Sequence, residues 1–248
     1  MELFLSTIGD GAGDTAREHG LGIEVAEFCY SANMDEEFDV WDAHAKASVA
    51  GVNKKIFHAP CYELCPAAIE KLVVCAAKKR FGQAHGLAER YGIKRMVVHS
   101  GYVRYLYDRR WFKDRSIEFW KEYLFGKPDD FELLLENTLE EGPDILCGII
   151  EGVGDPRFKL CFDIGHAGKS TSDVPVSRWV GSFAPHLRHV HVHNNYGVRD
   201  NHNPPGDGFI DVKKILDLLV KLCPGASYTL ETQNLKSSVA WMKTNGYM

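Results

Sequence analysis

The stretch HVHVH at positions 189–193 alternates histidine with valine, and it is one of six short apolar runs that contain or end in a residue able to bind a metal ion. The other five are KKIFH (54–58), RMVVH (95–99), LLLE (133–136), LCFD (160–163) and YTLE (228–231). In a (β/α)₈ barrel the strands form the packed centre, and their carboxyl ends supply the chemistry at one rim. Because His, Asp and Glu would converge on that rim, the pattern predicts a barrel with a metal site.

Strand and helix patterns alternate along the chain without a linker, an internal repeat or a low-complexity segment. Candidate strands cover 2–8, 22–28, 54–58, 95–99, 131–136, 158–163, 187–193 and 228–232. Helical patterns cover 12–19, 37–50, 66–91, 114–124, 141–151, 175–183, 211–222 and 236–244, and Pro66 opens the longest of them. GDGAG at 9–13 lacks the spacing of a dinucleotide-binding loop. Eight strand–helix units in 248 residues therefore predict a (β/α)₈ TIM barrel, with residues 1–248 forming a single domain.

The composition argues against several functional classes. A net charge of −5 and a pI near 6.1 disfavour a general polyanion-binding protein. No stretch approaches the roughly 20 apolar residues of a membrane span, and the first residues lack the basic segment of a signal peptide. With seven cysteines and no CxxC pair, we expect free thiols in a cytoplasmic protein. Cys61 and Cys65 have a spacing that is possible for a metal pair, but two free thiols are the favoured interpretation.

The seventh candidate strand has histidines on one side only. Alternate side chains of a strand face the same way, so His189, His191 and His193 would all face the barrel axis or its rim. Buried imidazoles need hydrogen-bond partners, and three of them on one inner face are hard to explain by packing alone. At least one of the three is therefore expected to bind a metal, while the others could support the ligands through hydrogen bonds.

Acidic and histidine residues also lie in the loops after two strands. Asp163 ends its strand and His166 follows three residues later, while Asp200 and His202 have a two-residue spacing that suits ligation of one ion. Taken singly, a strand-end carboxylate is often paired with a lysine, and a strand-end histidine is often a hydrogen-bonded core residue. Crowded on one rim, such groups would repel one another or stay unsatisfied without a cation, which favours the metal site.

These residues carry a family resemblance. The order HAP (58–60), VVHSG (97–101), LLLEN (133–137), FDIGH (162–166), HVHVHNN (189–195), DNHNPPGDGFID (200–211) and LET (230–232) resembles the xylose isomerase-like TIM-barrel superfamily. That superfamily contains sugar isomerases and epimerases and also the endonuclease IV type of abasic-site enzyme. The resemblance covers residues 58–232, whereas the segment before residue 54 matches only in its alternation of elements.

The two groups of relatives use different sets of ligands. The sugar isomerases and epimerases typically bind one divalent ion, and the resemblance assigns its ligands to Glu136, Asp163, His191 and Glu231. The endonuclease members bind three zinc ions with five further ligands, whose positions here are His58, His99, His166, Asp200 and His202. All nine positions are filled, which leaves the ion count open between one and three. Histidine with carboxylate suits Mn²⁺ and Zn²⁺ alike.

For a sugar substrate, the resemblance implies that Glu136 and Glu231 remove and return a proton while the cation stabilises an enediolate. His166, His193 and His202 would then bind the substrate. For the endonuclease type, the ions would instead hold the phosphate oxygens of a nucleic acid during phosphodiester hydrolysis.

The charges of the loops bear on the choice of partner. The segments 31–39 and 59–67 contain no Lys or Arg, which disfavours contact with a phosphate backbone. One loop is basic and aromatic, GYVRYLYDRRWFKDR (101–115), and a lid or a homodimer interface is a better explanation of it than nucleic-acid binding. Its Arg104 is a candidate substrate-binding residue.

The sequence therefore favours a metal-dependent isomerase or epimerase of a sugar or sugar phosphate, with no membrane partner. The alternative is a multi-zinc phosphoesterase of the abasic-site type. A distant third is a barrel that binds a sugar without turnover.

Overall fold

Eight parallel strands form a closed barrel at the centre of the computed structural model, which describes residues 1–169 and 171–248. The strands are β1 (Glu2–Ser6), β2 (Gly22–Val25), β3 (Lys55–His58), β4 (Arg95–His99), β5 (Glu132–Glu136), β6 (Phe158–Asp163), β7 (Leu187–Val192) and β8 (Ser227–Leu230). The helices are α1 (Ala12–His19), α2 (Phe38–Val49), α3 (Lys71–Arg90), α4 (Arg109–Leu124), α5 (Asp144–Val153), α6 (Ile164–Ala167), α7 (Val176–Phe183), α8 (Val212–Leu222) and α9 (Leu235–Thr244). A 3₁₀ turn covers Ser31–Met34. The predicted (β/α)₈ TIM barrel is confirmed.

The strand register brings the polar strand ends to one level. Each strand pairs with the next in sequence, and β1 pairs with β8 to close the barrel. His99 lies opposite Glu136 in the β4–β5 pair, and Asp163 lies opposite His191 in the β6–β7 pair. Because all strands are parallel, these side chains share the carboxyl-end rim.

Two apolar layers hold the barrel. Inside it, Phe4, Ile56, Val97, Leu134 and Cys161 form a small buried cluster. The other face of the strands packs against the helices in one large core, and each fully buried aliphatic or aromatic side chain contributes about 1.5–3 kcal/mol. The interior cluster lies below the polar rim and supports it from the amino-terminal side, as layered side chains do in this fold.

The starts of two helices differ from the prediction by five residues, more than those of the other predicted helices. Helix α3 begins at Lys71 and not at Pro66, because the Glu70 side chain accepts a hydrogen bond from the Leu72 N–H at 3.0 Å and caps the helix there. Pro66 lies in a turn before it. Helix α4 begins at Arg109, five residues earlier than predicted, because the Asp108 side chain accepts from the Trp111 N–H at 2.8 Å. The basic, aromatic segment 101–115 is therefore half loop and half helix.

One short helix was not predicted. Helix α6 starts directly after β6, where the Asp163 carboxylate accepts from the His166 N–H at 2.5 Å. This cap holds His166 above the rim, so the helix matters for the site. No helix in the described part of the chain is both long and apolar enough to cross a membrane.

Candidate metal centre

Three carboxylates surround one imidazole nitrogen at the carboxyl end of the barrel. The Nδ1 atom of His191 lies 3.1 Å from Glu231 Oε2, 3.5 Å from Glu136 Oε2 and 3.7 Å from Asp163 Oδ2. These residues come from β5, β6, β7 and the residue after β8, and all four are buried. The rim geometry thus brings together the four residues that the sequence resemblance assigned to a single ion.

Several atoms of this group have no hydrogen-bond partner within the described chain. They are both ring nitrogens of His191, Glu136 Oε1 and Glu231 Oε2, each of them shielded from solvent. A buried polar atom without a partner costs about 1–3 kcal/mol, and more when it is charged. One imidazole and three carboxylates are a ligand set that suits a divalent cation, so the residues fit the group that the sequence pattern predicts.

Two further histidines approach the same carboxylate from β3 and β4. His58 Nε2 and His99 Nε2 each lie 3.3 Å from Glu136 Oε2. His58 Nδ1 lies 2.9 Å from the Ala59 carbonyl oxygen and donates its proton there, which turns Nε2 toward the cavity. Burial by itself would lower the pKa of His58, but the hydrogen bond to Glu136 and its charge raise it to about 10. A metal ion bound at His58 Nε2 would have to displace the proton from that nitrogen.

The loops after β6 and β7 contribute the remaining candidates. His166 Nε2 lies 2.6 Å from Asp200 Oδ2, and His202 Nε2 lies 3.8 Å from Asp200 Oδ1. His193 Nε2 lies 3.0 Å from both carboxylate oxygens of Asp163. Burial alone would raise the pKa of Asp163, but the charges of His166 and His193 lower it to about 2, so this carboxylate is ionised.

All nine candidate ligands therefore meet at one rim. Most of them line a single cavity of about 500 Å³, whose walls include His58, His99, Glu136, His166, Asp200, His202 and Glu231. Asp163, His191 and His193 lie beneath its floor, buried completely.

A family model for the xylose isomerase-like TIM barrel matches residues 16–245. The chain belongs to this family. The family predicted from the sequence motifs is thereby confirmed, and the match begins at residue 16, within the segment before residue 54 that the motifs left open.

Individual relatives of this xylose isomerase-like barrel are distant in sequence. The uncharacterized protein MJ1311 of Methanocaldococcus jannaschii is 24% identical over 193 residues, which span 74% of this chain and 66% of that protein. A D-tagatose 3-epimerase-like protein has a TM-score of 0.76 at 21% identity, covering 98% of this chain and 95% of its own. A Thermus thermophilus protein soaked with ZnCl₂ has a TM-score of 0.75 at 22% identity, covering 99% and 98%. These structural similarities show the shared fold.

Sequence reasoning missed a buried carboxylate beneath the rim of this family barrel. Glu24 of β2 is fully buried, and its Oε1 lies 2.9 Å from His191 Nε2. Its Oε2 lies 3.3 Å from His189 Nε2 and accepts a hydrogen bond from Thr229. Burial would raise the pKa of Glu24, but His191 and His189 lower it well below its usual value. The signal was available, because Glu24 is the charged residue inside the otherwise apolar strand GIEV (22–25).

Glu24 determines the orientation of His191. With Nε2 facing the Glu24 carboxylate at 2.9 Å, Nδ1 faces the three rim carboxylates. This carboxylate–histidine arrangement is typical of metal-binding histidines, whose second nitrogen is held by an outer acceptor. His189 lies one layer deeper, where burial lowers its pKa to about 4, and its Nδ1 is 2.7 Å from Ser227 Oγ. His189 is therefore a neutral partner of Glu24 below the rim.

Of two basic residues, only one contacts a candidate ligand. Arg104 forms a bidentate ion pair with Asp173, at 3.0 Å and 2.6 Å, and is not among the described residues that line the cavity. Its role in substrate binding stays a prediction. Lys169, which sequence reasoning did not consider, lies 3.4 Å from Asp200 Oδ2 and lines the neighbouring cavity together with His99 and His166.

Proposed function

We propose that this protein is a divalent-metal-dependent isomerase or epimerase that acts on a sugar or sugar phosphate. The observation that carries the proposal is the ring of three buried carboxylates around His191 Nδ1. Membership of the xylose isomerase-like family and the similarity to a D-tagatose 3-epimerase-like protein support it. A bound divalent cation would polarise the substrate carbonyl and stabilise the enediolate.

Glu136 and Glu231 are the proton-transferring pair in this proposal. They come from β5 and from the end of β8, three strands apart in the barrel, and so reach a substrate from different sides. Each has one carboxylate oxygen without a hydrogen-bond partner. Burial would raise the pKa of Glu231, but the charges of His191 and His202 lower it, so the ionised group can accept a proton. The ionised carboxylate would remove the proton next to the carbonyl, and the other, having first taken up a proton from solvent, would return that proton to the opposite face.

The cavity walls supply hydrogen-bonding groups for substrate hydroxyls. His166 and His202 line the cavity above the metal-binding residues, and Lys169 borders it beside Asp200. An ammonium group there would bind a phosphate or another anionic end of the substrate. His193 acts by holding Asp163 in place through its 3.0 Å contacts.

Proton exchange tests this proposal directly. Metal-loaded protein is incubated with ketohexoses, pentuloses and their phosphates in deuterium oxide, and exchange of the C–H proton is followed by NMR. We expect exchange with at least one sugar, and its loss in Glu136→Gln and Glu231→Gln. The matched control is Glu140→Gln, a buried carboxylate bound to Ser100 outside the cavity lining, which should retain exchange. Substrate binding without any exchange would favour the non-catalytic sugar-binding barrel instead.

A second candidate function is phosphodiester hydrolysis by a multi-zinc centre. The favouring observation is that His58, His99, His166, Asp200 and His202 line the same cavity, so that all nine ligands of the endonuclease type are close together. Metal content per chain, read together with the two activities, separates the two proposals. Two or three zinc ions, together with salt-sensitive cleavage of abasic-site duplex DNA and no sugar proton exchange, would replace the isomerase proposal with the hydrolase.

A further inference from the structure

Two thiols lie beside His58 on the β2–β3 side of the cavity. Cys29 is in the loop after β2, Cys61 is in the loop after β3, and both line the cavity wall. The Sγ atoms of Cys29 and Cys61 and one ring nitrogen of His58 all lie within 4.8 Å of one another. From the sequence, Cys61 and Cys65 were the conceivable metal pair. The structure has Cys65 buried in the apolar core, and the thiol next to Cys61 is Cys29.

Main-chain contacts hold the three ligand atoms in position. The Cys61 N–H donates to the Cys29 carbonyl oxygen at 3.0 Å, so the two loops are joined at the cysteines themselves. The Cys61 Sγ lies 3.7 Å from the same oxygen. His58 Nδ1 faces the Ala59 carbonyl oxygen at 2.9 Å, which leaves Nε2 as its ligand atom. Such preorganisation does not depend on a bound ion.

We propose that Cys29, Cys61 and His58 bind a thiophilic divalent cation such as zinc, in a subsite beside the one formed around His191. Glu136 Oε2 lies 3.3 Å from His58 Nε2 and is within reach as a fourth ligand, which would complete a tetrahedral set. Both thiols lose their protons to solvent when the ion binds. Thiolate ligands select zinc over manganese and magnesium, so this subsite would bias the whole centre toward zinc. The assignment does not depend on the sugar chemistry proposed above.

Optical spectroscopy of the cobalt-substituted protein tests the subsite without measuring turnover. Full-length, reduced, metal-free protein is titrated with Co²⁺ under nitrogen. We expect a near-ultraviolet thiolate-to-cobalt charge-transfer band in the wild type, about halved in Cys29→Ser and in Cys61→Ser. Cys65→Ser, four residues further along the same segment, is the matched control and should keep the full band. A wild-type spectrum without the band, or a band that both Cys29→Ser and Cys61→Ser retain, would overturn the proposal.

Thiol reactivity provides a second readout that holds even if a serine variant folds poorly. In the wild-type protein, zinc should protect two of the seven cysteines from a thiol reagent, and a chelator should release them. Peptide mapping should identify the protected pair as Cys29 and Cys61. Zinc affinity of this subsite should fall at least about tenfold in Cys61→Ser, since even outer partners of a ligand change affinity by that factor. Equal labelling with and without zinc would refute the subsite.

Discussion

Replacing Glu24 with glutamine should weaken metal binding while leaving the barrel folded. The glutamine carbonyl can still accept from His191 Nε2, and its amide can donate to His189 Nε2, because burial keeps that imidazole neutral. The second amide hydrogen can donate to Thr229 Oγ1, whose own hydroxyl, a donor to Glu24 Oε2 in the wild type, must then turn away. The neighbours of the buried group stay the same, and its charge is lost. Glu24→Ala would instead leave a cavity and an unpaired His191 nitrogen, so glutamine is the more informative change.

The expected magnitude follows from the contacts of Glu24. A hydrogen bond to a charged acceptor contributes about 1.5–3 kcal/mol, against about 0.5–1.5 kcal/mol for a neutral one. The loss at His191 alone is therefore about 1–1.5 kcal/mol, and the lost charge also lowers the basicity of the imidazole toward a cation. We expect metal affinity to fall about 10- to 100-fold, which corresponds to about 1.4–2.7 kcal/mol.

Competition between metal-free protein and a fluorescent zinc chelator measures this change, and circular dichroism on heating checks the fold. Glu132→Gln is the matched control, because Glu132 is also a strand carboxylate but lies at the opposite end of the barrel, paired with Arg95 and Arg188. Its metal affinity should equal that of the wild type. An affinity of Glu24→Gln within about twofold of wild type, in a protein that melts normally, would refute the role of Glu24 in orienting His191.

Three other predictions concern stability and packing. Burial would raise the pKa of Glu132, but the hydrogen bond from Arg188 lowers it below the ordinary value of 4.5. The ion pair therefore stabilises the fold above pH 4.5, and this stabilisation is lost as the pH falls through the lowered pKa. In urea unfolding, Glu132→Gln should be less stable than the wild type at neutral pH, and the difference should be smaller in acid. A Cβ on Gly165 would lie 1.9 Å from His193 Cε1, so Gly165→Ala should lower the free energy of unfolding by at least about 1–3 kcal/mol. At Gly181 an added Cβ meets nothing within 4 Å, so calorimetry should show Gly181→Ala to be neutral or stabilising. Chelation should lower the melting temperature, since a cation at 100 times its Kd stabilises by about 2.7 kcal/mol; an unchanged melting curve would contradict a bound metal.

Much of the fold could be predicted because its signals are local. Strands β4 and β6 and helix α1 have the predicted boundaries, since alternation and helical periodicity are properties of adjacent residues. The predicted start of helix α3 was wrong because Pro66 lies in a turn, and the helix is capped four residues later by the Glu70 side chain.

The candidate ligands could also be predicted, because each ends a strand or follows one closely, and parallel strands end at the same rim. Glu24 was missed for the opposite reason. It lies inside its strand, and its importance comes from His191, which is 167 positions later in the chain and on the other side of the barrel. No local pattern connects the two residues.

The sequence by itself therefore determined the eightfold alternation of strands and helices, the family and the identity of the rim residues. Only the tertiary structure decided which atoms meet: Glu24 with His191, Cys61 with Cys29 rather than Cys65, and Arg104 with Asp173. The physical reason is that periodicity is encoded over a few residues, whereas contacts across a barrel depend on its closure and strand register, which arise from all eight strands together.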